Sequence, residues 1–150
     1  MTRLWDADDP QATIDHFKAL VDGYPGNAFY LYEYAGAYDF AGREAEAAPL
    51  YEAAFAAGLA GDDLLRGLIQ YGSTLRNLGR HDEALAALHR ADVEFPGHAS
   101  VKAFLALALI SAGRANEAVA LLLNLALDRI DAEELQRYRR ALREYAAELS

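Results

Sequence analysis

The side chains in this chain that are best able to bind a metal or transfer a proton are its four histidines. Their spacing argues against catalysis. They are His16, His81, His89 and His98. No two of them form a His-x-x-x-His pair and none completes a Glu-x-x-His pair, so the common helical metal spacings are absent. The sequence also has no glycine-rich phosphate loop and no Gly-x-Ser-x-Gly elbow. We therefore predict no enzyme activity, no cofactor and no metal.

Arginine and glutamate recur together in a fixed six-residue phrase. Gly-Arg-x-x-Glu-Ala begins at Gly42, Gly79 and Gly113, with spacings of 37 and 34 residues. Each arginine lies three positions before its glutamate, so the two can form an ion pair on the helix surface. We interpret these pairs as structural features of the repeat rather than as a reaction site. A period in the thirties is typical of a repeat array, in which each unit buries its apolar face against the next.

Apolar residues recur at helical spacing on both sides of each phrase. Around Gly79, for example, one stripe runs from Leu68 to Leu75 and the next from Ala84 to Ala91. The glycine stands where the first helix must stop, because glycine reaches the left-handed cap conformation without steric cost. Each unit is therefore predicted to be a helix, a turn and a second helix.

Small residues occupy one fixed place in each predicted helix. The first helices carry Ala35, Gly72 and Ala106, and the second helices carry Ala47, Ala84 and Ala118. We expect these small residues to face each other and to let the paired backbones approach closely. A large side chain at either place would then overpack the pair at a cost of roughly 1–3 kcal/mol.

These features resemble the tetratricopeptide repeat, which has a large-small-aromatic first helix, an alanine-aromatic-alanine second helix and a closing proline. The closing prolines here are Pro25 and Pro96, and the resemblance covers nearly the whole chain. Pro49, the run from Ser73 to Gly79 and the tail from Tyr138 are similar to small free-standing bacterial members, called group 5. The resemblance implies an all-α fold, a right-handed α-solenoid of antiparallel helix pairs.

The expected organisation is one domain, residues 1–150, with eight helices. It comprises an N-terminal half repeat (10–24), three repeats (27–61, 62–97 and 98–130) and a C-terminal capping helix (131–149). Asp9 before Pro10 is a helix start, and Trp5 is expected to fold onto the half repeat. Asp62 or Asp63 and Asp131 are the expected caps of two later helices.

Composition narrows the partner classes. The net charge of −9 disfavours nucleic acid and anionic lipid as partners, since both require a cationic surface. The chain has no cysteine, its first residues lack the basic-then-apolar order of a signal peptide, and no apolar run approaches membrane length. We expect a cytoplasmic protein that binds neither nucleic acid nor membrane.

The predicted binding surface is the concave groove that the first helices line in such an array. In the helical register, aromatic groups lie at one end and arginines at the middle and far end, which suits an acidic or carboxylate-terminated, partly apolar segment. The candidate groove residues are Phe29, Tyr32, Glu33, Arg66, Gln70, Ser73, Arg76, Asn77, Phe104, Arg137 and Arg140. In the alternative interpretation the aromatic groups pack on the half repeat and the arginines only solvate an acidic protein.

Two functions therefore remain open at this point. The first is an adaptor that binds a protein or peptide segment without chemistry of its own. The second is a self-associating structural protein, a homodimer formed through an end helix or an exposed flank.

Overall fold

The computed structural model describes residues 4–150, which form nine α-helices and no strand. Met1, Thr2 and Arg3 lie outside the described residues, and with them part of the segment on which the signal-peptide expectation was based. The helices are α1 (Pro10–Gly23), α2 (Ala28–Phe40), α3 (Glu44–Ala56), α4 (Gly61–Asn77), α5 (His81–Glu94), α6 (Ala99–Ser111), α7 (Ala115–Arg129), α8 (Glu133–Gln136) and α9 (Arg139–Leu149).

Consecutive helices pack against each other from α1 to α7, and α9 packs on α7. The first helices of the repeats also touch their neighbours, α2 against α4 and α4 against α6. Helices α2 and α3, α4 and α5, and α6 and α7 pack as consecutive pairs, and α1 packs on α2 ahead of them. The all-helical solenoid expected from the sequence is therefore confirmed.

Each repeated phrase folds as the glycine analysis predicts. Gly42, Gly79 and Gly113 have φ values of 71°, 76° and 77°, in the left-handed region. The arginine after each glycine donates its backbone N–H to a carbonyl five residues earlier, for example Arg43 to Tyr38 at 2.9 Å. This is the Schellman closure of the first helix, and it turns the chain into the second helix. The three arginine–glutamate pairs form as expected and are exposed.

The close approach of the paired helices involves a leucine as well as the small residues. Ala35, Ala47, Ala84 and Ala118 are fully buried, and the three atoms nearest to a Cβ built at Gly72 all belong to Leu88. A Cβ atom at Gly72 would lie 2.6 Å from Leu88 Cγ, well inside van der Waals contact. The leucine of the second helix thus fills the space that the glycine leaves, one helical turn beyond the alanine.

The C-terminal helix and two caps were wrongly predicted. The predicted helix 131–149 is divided at Arg137 and Tyr138 into α8 and α9, so that residues 4–150 contain nine helices instead of eight. The Gln136 amide donates to the carbonyls of Leu127 and Ile130, both at 2.9 Å, and so anchors the short α8 across the end of α7.

Only the first of the predicted aspartate caps is observed. Asp9 accepts a hydrogen bond from the Ala12 N–H at 3.2 Å at the start of α1. Asp62 and Asp63 instead lie in the first turn of α4, where their negative charges interact favourably with the positive end of the helix dipole. Asp131 lies one residue before Ala132, the residue that precedes α8.

We predict that Gly72→Ala destabilises the protein by about 1–3 kcal/mol, because Leu88 is fully buried and cannot move aside freely. Gly36→Ala is the matched control, since a Cβ atom there meets only Trp5 Cη2 at an ordinary 3.6 Å. That variant should be about 0.4–1 kcal/mol more stable, as expected for glycine to alanine inside an unstrained helix. Urea unfolding followed by circular dichroism measures both, and equal effects would contradict the proposed close approach.

Candidate functional site

Two adjoining pockets lie on the surface formed by the first helices α2, α4 and α6. The N-terminal pocket has a volume of about 300 Å³ and is lined by Trp5, Tyr32, Glu33, Gly36, Asp39, Phe40, Tyr51 and Gln70. The central pocket has a volume of about 240 Å³ and is lined by Asp39, Glu44, Ile69, Gln70, Ser73, Thr74, Asn77 and Phe104. Because Asp39 and Gln70 belong to both, the two pockets form one continuous groove.

Asp39 is the centre of a hydrogen-bonded network between three helices. Its carboxylate accepts from Tyr51 Oη of α3 at 2.6 Å, and from Thr74 Oγ1 of α4 at 2.7 and 2.9 Å. Tyr51 is fully buried, and Thr74 almost so. The network therefore joins α2, α3 and α4 beneath the floor of the groove.

Gln70 extends this network to the rim. Its amide lies 3.1 Å from Tyr51 Oη and 3.4 Å from Tyr32 Oη. The single proton of the Tyr51 hydroxyl is directed to Asp39, the shorter contact, so the contact between Tyr51 Oη and Gln70 Oε1 is the weaker of the two. Gln70 Nε2 donates to Tyr32 Oη, and the Gln70 side chain therefore lies between the two tyrosines.

The carboxylates of the groove are poorly solvated. Burial raises the pKa of Asp39, although the hydrogen bonds from Tyr51 and Thr74 oppose the shift. Burial, together with the nearby charge of Asp63, also raises the pKa of Glu33. Burial and the adjacent Asp39 charge raise the pKa of the Tyr51 hydroxyl. The groove thus holds negative charge that burial penalises and that neighbouring carboxylates disfavour further.

The structure brings together six of the predicted groove residues and leaves five apart. Tyr32, Glu33 and Gln70 line the N-terminal pocket, and Gln70, Ser73, Asn77 and Phe104 line the central pocket. The five that line neither pocket are Phe29, Arg66, Arg76, Arg137 and Arg140. Tyr32 is only 7% exposed, so little of its surface is available to a ligand.

The four predicted arginines have different environments. Arg76 is half-buried between α4 and α6, with Nη1 3.4 Å from Ser111 Oγ and with a buried Nε that has no partner within residues 4–150. Arg66 and Arg137 are exposed. The Arg140 side chain is 94% exposed and pairs with Glu144 at 3.1 Å on α9, which packs against α7. Arg76 is therefore the arginine best placed to serve a ligand in the groove.

Several lining residues were missed from the sequence. Trp5 was expected only on the half repeat, but its ring lies 5.6 Å from both the Phe17 and the Phe40 rings and so walls the N-terminal pocket. Tyr51 and Thr74 occupy positions that belong to the core of the repeat. Only the hydroxyl groups of these two residues indicated a polar role. A buried threonine one residue after Ser73 was the available sign that polar chemistry continues under the groove.

A family model described as Tetratrico peptide repeat, that of group 5, matches residues 28–149. The chain belongs to the tetratricopeptide repeat family. Such repeats generally mediate interactions between proteins and are typically non-catalytic modules. No curated protein gives a significant match to the chain.

Within residues 4–150, no group of three or more histidine, cysteine, aspartate or glutamate side chains is arranged to hold a metal ion. Over the same residues, none of the helices combines the length and the apolar character needed to span a bilayer.

We predict that Asp39→Asn changes the pH dependence of stability. A carboxyl whose pKa is higher in the folded state makes the folded protein bind more protons than the unfolded chain, so stability falls as pH rises from about 4 through the raised pKa. The difference in unfolding free energy, Asn variant minus wild type, should therefore increase with pH across that window and then level off. Urea unfolding from pH 4 to 8 measures it, and a difference that falls with pH would contradict the assignment.

Proposed function

We propose that this tetratricopeptide repeat protein is an adaptor that binds an extended protein segment in the groove along α2, α4 and α6, without catalysis. The observation that carries the proposal is the continuity of the two pockets, which share Asp39 and Gln70 and are lined by all three first helices. An extended chain needs such a continuous surface, with apolar anchors and polar groups alternating along it.

The groove offers both kinds of contact. Phe104 and Ile69 supply apolar surface in the central pocket, and Ser73 and Asn77 supply hydrogen-bonding groups beside them. Gln70 is held by the two tyrosines, so its position is fixed before a ligand arrives. Preorganised side chains lose less conformational entropy on binding, which favours recognition by this surface.

The groove is tested by obstructing it. A random peptide display library selected on the wild-type protein should yield peptides that bind the groove. In NMR spectra, these peptides should change the backbone amide chemical shifts of residues in α2, α4 and α6. Ser73→Tyr, which fills the central pocket, should weaken those binders at least tenfold. Ala86→Tyr places the same ring on exposed α5 and should leave them unchanged. Selected peptides that map to α3, α5 and α7 would contradict the groove.

The partner segment carries an acidic or carboxylate-terminated group, we propose, and Arg76 receives it. Arg76 belongs to α4, on which Ser73 and Asn77 line the central pocket. Its buried Nε has no partner within residues 4–150, and its Nη1 lies 3.4 Å from Ser111 Oγ of α6. A carboxylate that reaches the Nη groups of this half-buried guanidinium gains a charge-assisted hydrogen bond.

Arg76→Ala should therefore weaken selected peptides that contain aspartate or glutamate by about tenfold, the loss expected for one charge-assisted contact. Arg140→Ala is the control, because Arg140 is already paired with Glu144 and lies away from both pockets. Rising salt should weaken wild-type binding, since part of the attraction is screened. Equal losses in the two variants would show that the effect is one of overall charge only.

Self-association is the second candidate, and one feature of α6 favours it. Leu107 and Ile110 of α6 are 44% and 52% exposed. Exposed apolar residues on one helix face are typical of surfaces that bind another protein. Sedimentation velocity decides the matter: a concentration-dependent dimer that Leu107→Lys abolishes supports self-association, and a monomer at all concentrations supports the adaptor.

A further inference from the structure

The N-terminal pocket and the central pocket occupy the same place in successive repeats. Residues 37 apart are equivalent here, so Tyr32, Gly36 and Phe40 of α2 correspond to Ile69, Ser73 and Asn77 of α4, and both sets line their own pocket. The two pockets can therefore be compared position by position, as two versions of one site. Differences between them reflect side-chain chemistry rather than a change of architecture.

The charged positions differ most. Glu33 corresponds to Gln70, and Asp39 corresponds to Arg76. The N-terminal pocket thus has two carboxylates where the next repeat has a neutral amide and a guanidinium. Since the next repeat packs without these carboxylates, the fold does not require them at these positions.

Within residues 4–150, no basic residue lines the N-terminal pocket to balance its carboxylates. Glu33 makes no hydrogen bond or ion pair with any of residues 4–150. Asp63 and Glu44 add negative charge beside Glu33 and Asp39, and their repulsion contributes to the raised pKa of each. Arg66 is the neighbouring cation, and its charge acts on the Tyr32 hydroxyl, but it does not line the pocket.

Aromatic rings enclose the same space. Trp5 and Phe40 meet edge to face, with ring centroids 5.6 Å apart. Tyr32 of α2 and Tyr51 of α3 also line the pocket, and their rings contact each other. Gly36 lets the Trp5 ring come close to α2, since Trp5 Cη2 lies 3.6 Å from the place of a Cβ atom there, and the next repeat has Ser73 at this position. A ring face attracts a cation through its quadrupole, most strongly for tryptophan and in desolvated surroundings.

We propose that the N-terminal pocket binds the guanidinium group of an arginine side chain in the partner segment. The proposal rests on the groove function above and adds the chemistry of one anchor. A guanidinium is flat enough to stack on Trp5 or Phe40, and its N–H groups are directed in a fork that Glu33 and Asp39 can accept. The pocket of about 300 Å³ takes one long side chain rather than a larger group.

The inference also gives the bound segment a direction. Its arginine lies in the N-terminal pocket, formed largely by α2, and its acidic group lies near Arg76, between α4 and α6. A segment of the opposite charge order would place like charges together at both ends. The opposite charges at the equivalent positions Asp39 and Arg76 therefore select the direction of the bound segment. Two pockets of the same charge could not select it.

The test uses a single arginine as the probe, N-acetyl-arginine amide, with N-acetyl-citrulline amide as its uncharged isostere. Trp5 is the only tryptophan in the chain, so its fluorescence reports directly on the pocket. We expect a saturable change with the arginine compound and at least about tenfold weaker binding of citrulline, as for loss of a charge from a partly desolvated site. Equal binding of the two compounds would overturn the proposal.

Variants locate the probe. Glu33→Gln should lower the affinity for acetyl-arginine amide about tenfold, and Phe40→Leu several-fold, with unchanged circular dichroism. Glu148→Gln removes the same charge from an exposed site on α9 and should leave the affinity unchanged. Equal effects of Glu33→Gln and Glu148→Gln would overturn the proposal. So would tighter binding after Arg3→Ala, because the chain's own arginine would then be the occupant.

A lysine probe and the display library complete the test. N-acetyl-lysine amide should bind more weakly than the arginine compound, because an ammonium is more strongly hydrated and lacks the forked geometry. Groove-binding peptides without any enrichment of arginine would overturn the pocket assignment while leaving the adaptor function intact. If acetyl-arginine amide binds but no peptide binds the groove, the pocket assignment is supported and the adaptor function is overturned.

Discussion

Helix α4 carries the constraint on which the rest of the structure depends, because it must approach its neighbours closely on two sides. Gly67 faces α3 and α2, where a Cβ atom would lie 3.1 Å from Leu59, 3.2 Å from Phe55 and 3.5 Å from Tyr32. Gly72 faces α5, where Leu88 fills the space. Both glycines are buried, and helical backbone at these places costs about 1 kcal/mol relative to alanine. The packing therefore offsets a local cost, and in return it places Gln70 and Thr74 within reach of Tyr32, Tyr51 and Asp39.

This arrangement explains why the polar network lies at one junction of the array. The residues equivalent to Tyr51, Gln70 and Thr74 in the next unit are Leu88, Phe104 and Ala108. Those residues pack as an apolar cluster between α5 and α6, which shows that a repeat junction holds together without hydrogen-bonded side chains. Buried polar groups are costly unless satisfied, so a network that the fold does without is better explained by the surface it supports.

Most of the fold could be predicted from the sequence, because it depends on residues with few conformational or packing alternatives. A glycine that must adopt positive φ and alanines at a fixed helical position identify the turn and the helix pair wherever they recur. The break at Arg137 was missed because it depends on the Gln136 amide reaching the carbonyls of α7, a contact between helices rather than a pattern within one. The same limitation applies at Gly72, because the close approach of Leu88 is also a contact between helices.

The site was less predictable for a related reason. Helical register identified which faces of α2, α4 and α6 are exposed to the groove, and so Glu33, Gln70 and Phe104 were found. Register does not show what another helix or an irregular segment adds, so Tyr51 beneath the groove and Trp5 beside it were missed. It also treats every arginine on a face alike, whereas Arg140 is paired within its own helix and Arg76 has a buried, unpartnered nitrogen within residues 4–150.

The comparison of equivalent positions connects the repeat to recognition. In an array, each unit supplies the same few groove positions, and the residue type at one of them can change from unit to unit while the helix pairs are kept. Along this chain the position of Asp39 becomes Arg76 and then Ile110: an acid, a base and an exposed apolar residue. Three different chemistries at one repeated position give a groove whose ends are not interchangeable. A regular scaffold with an irregular lining of this kind can distinguish one segment, in one direction, from others of similar composition.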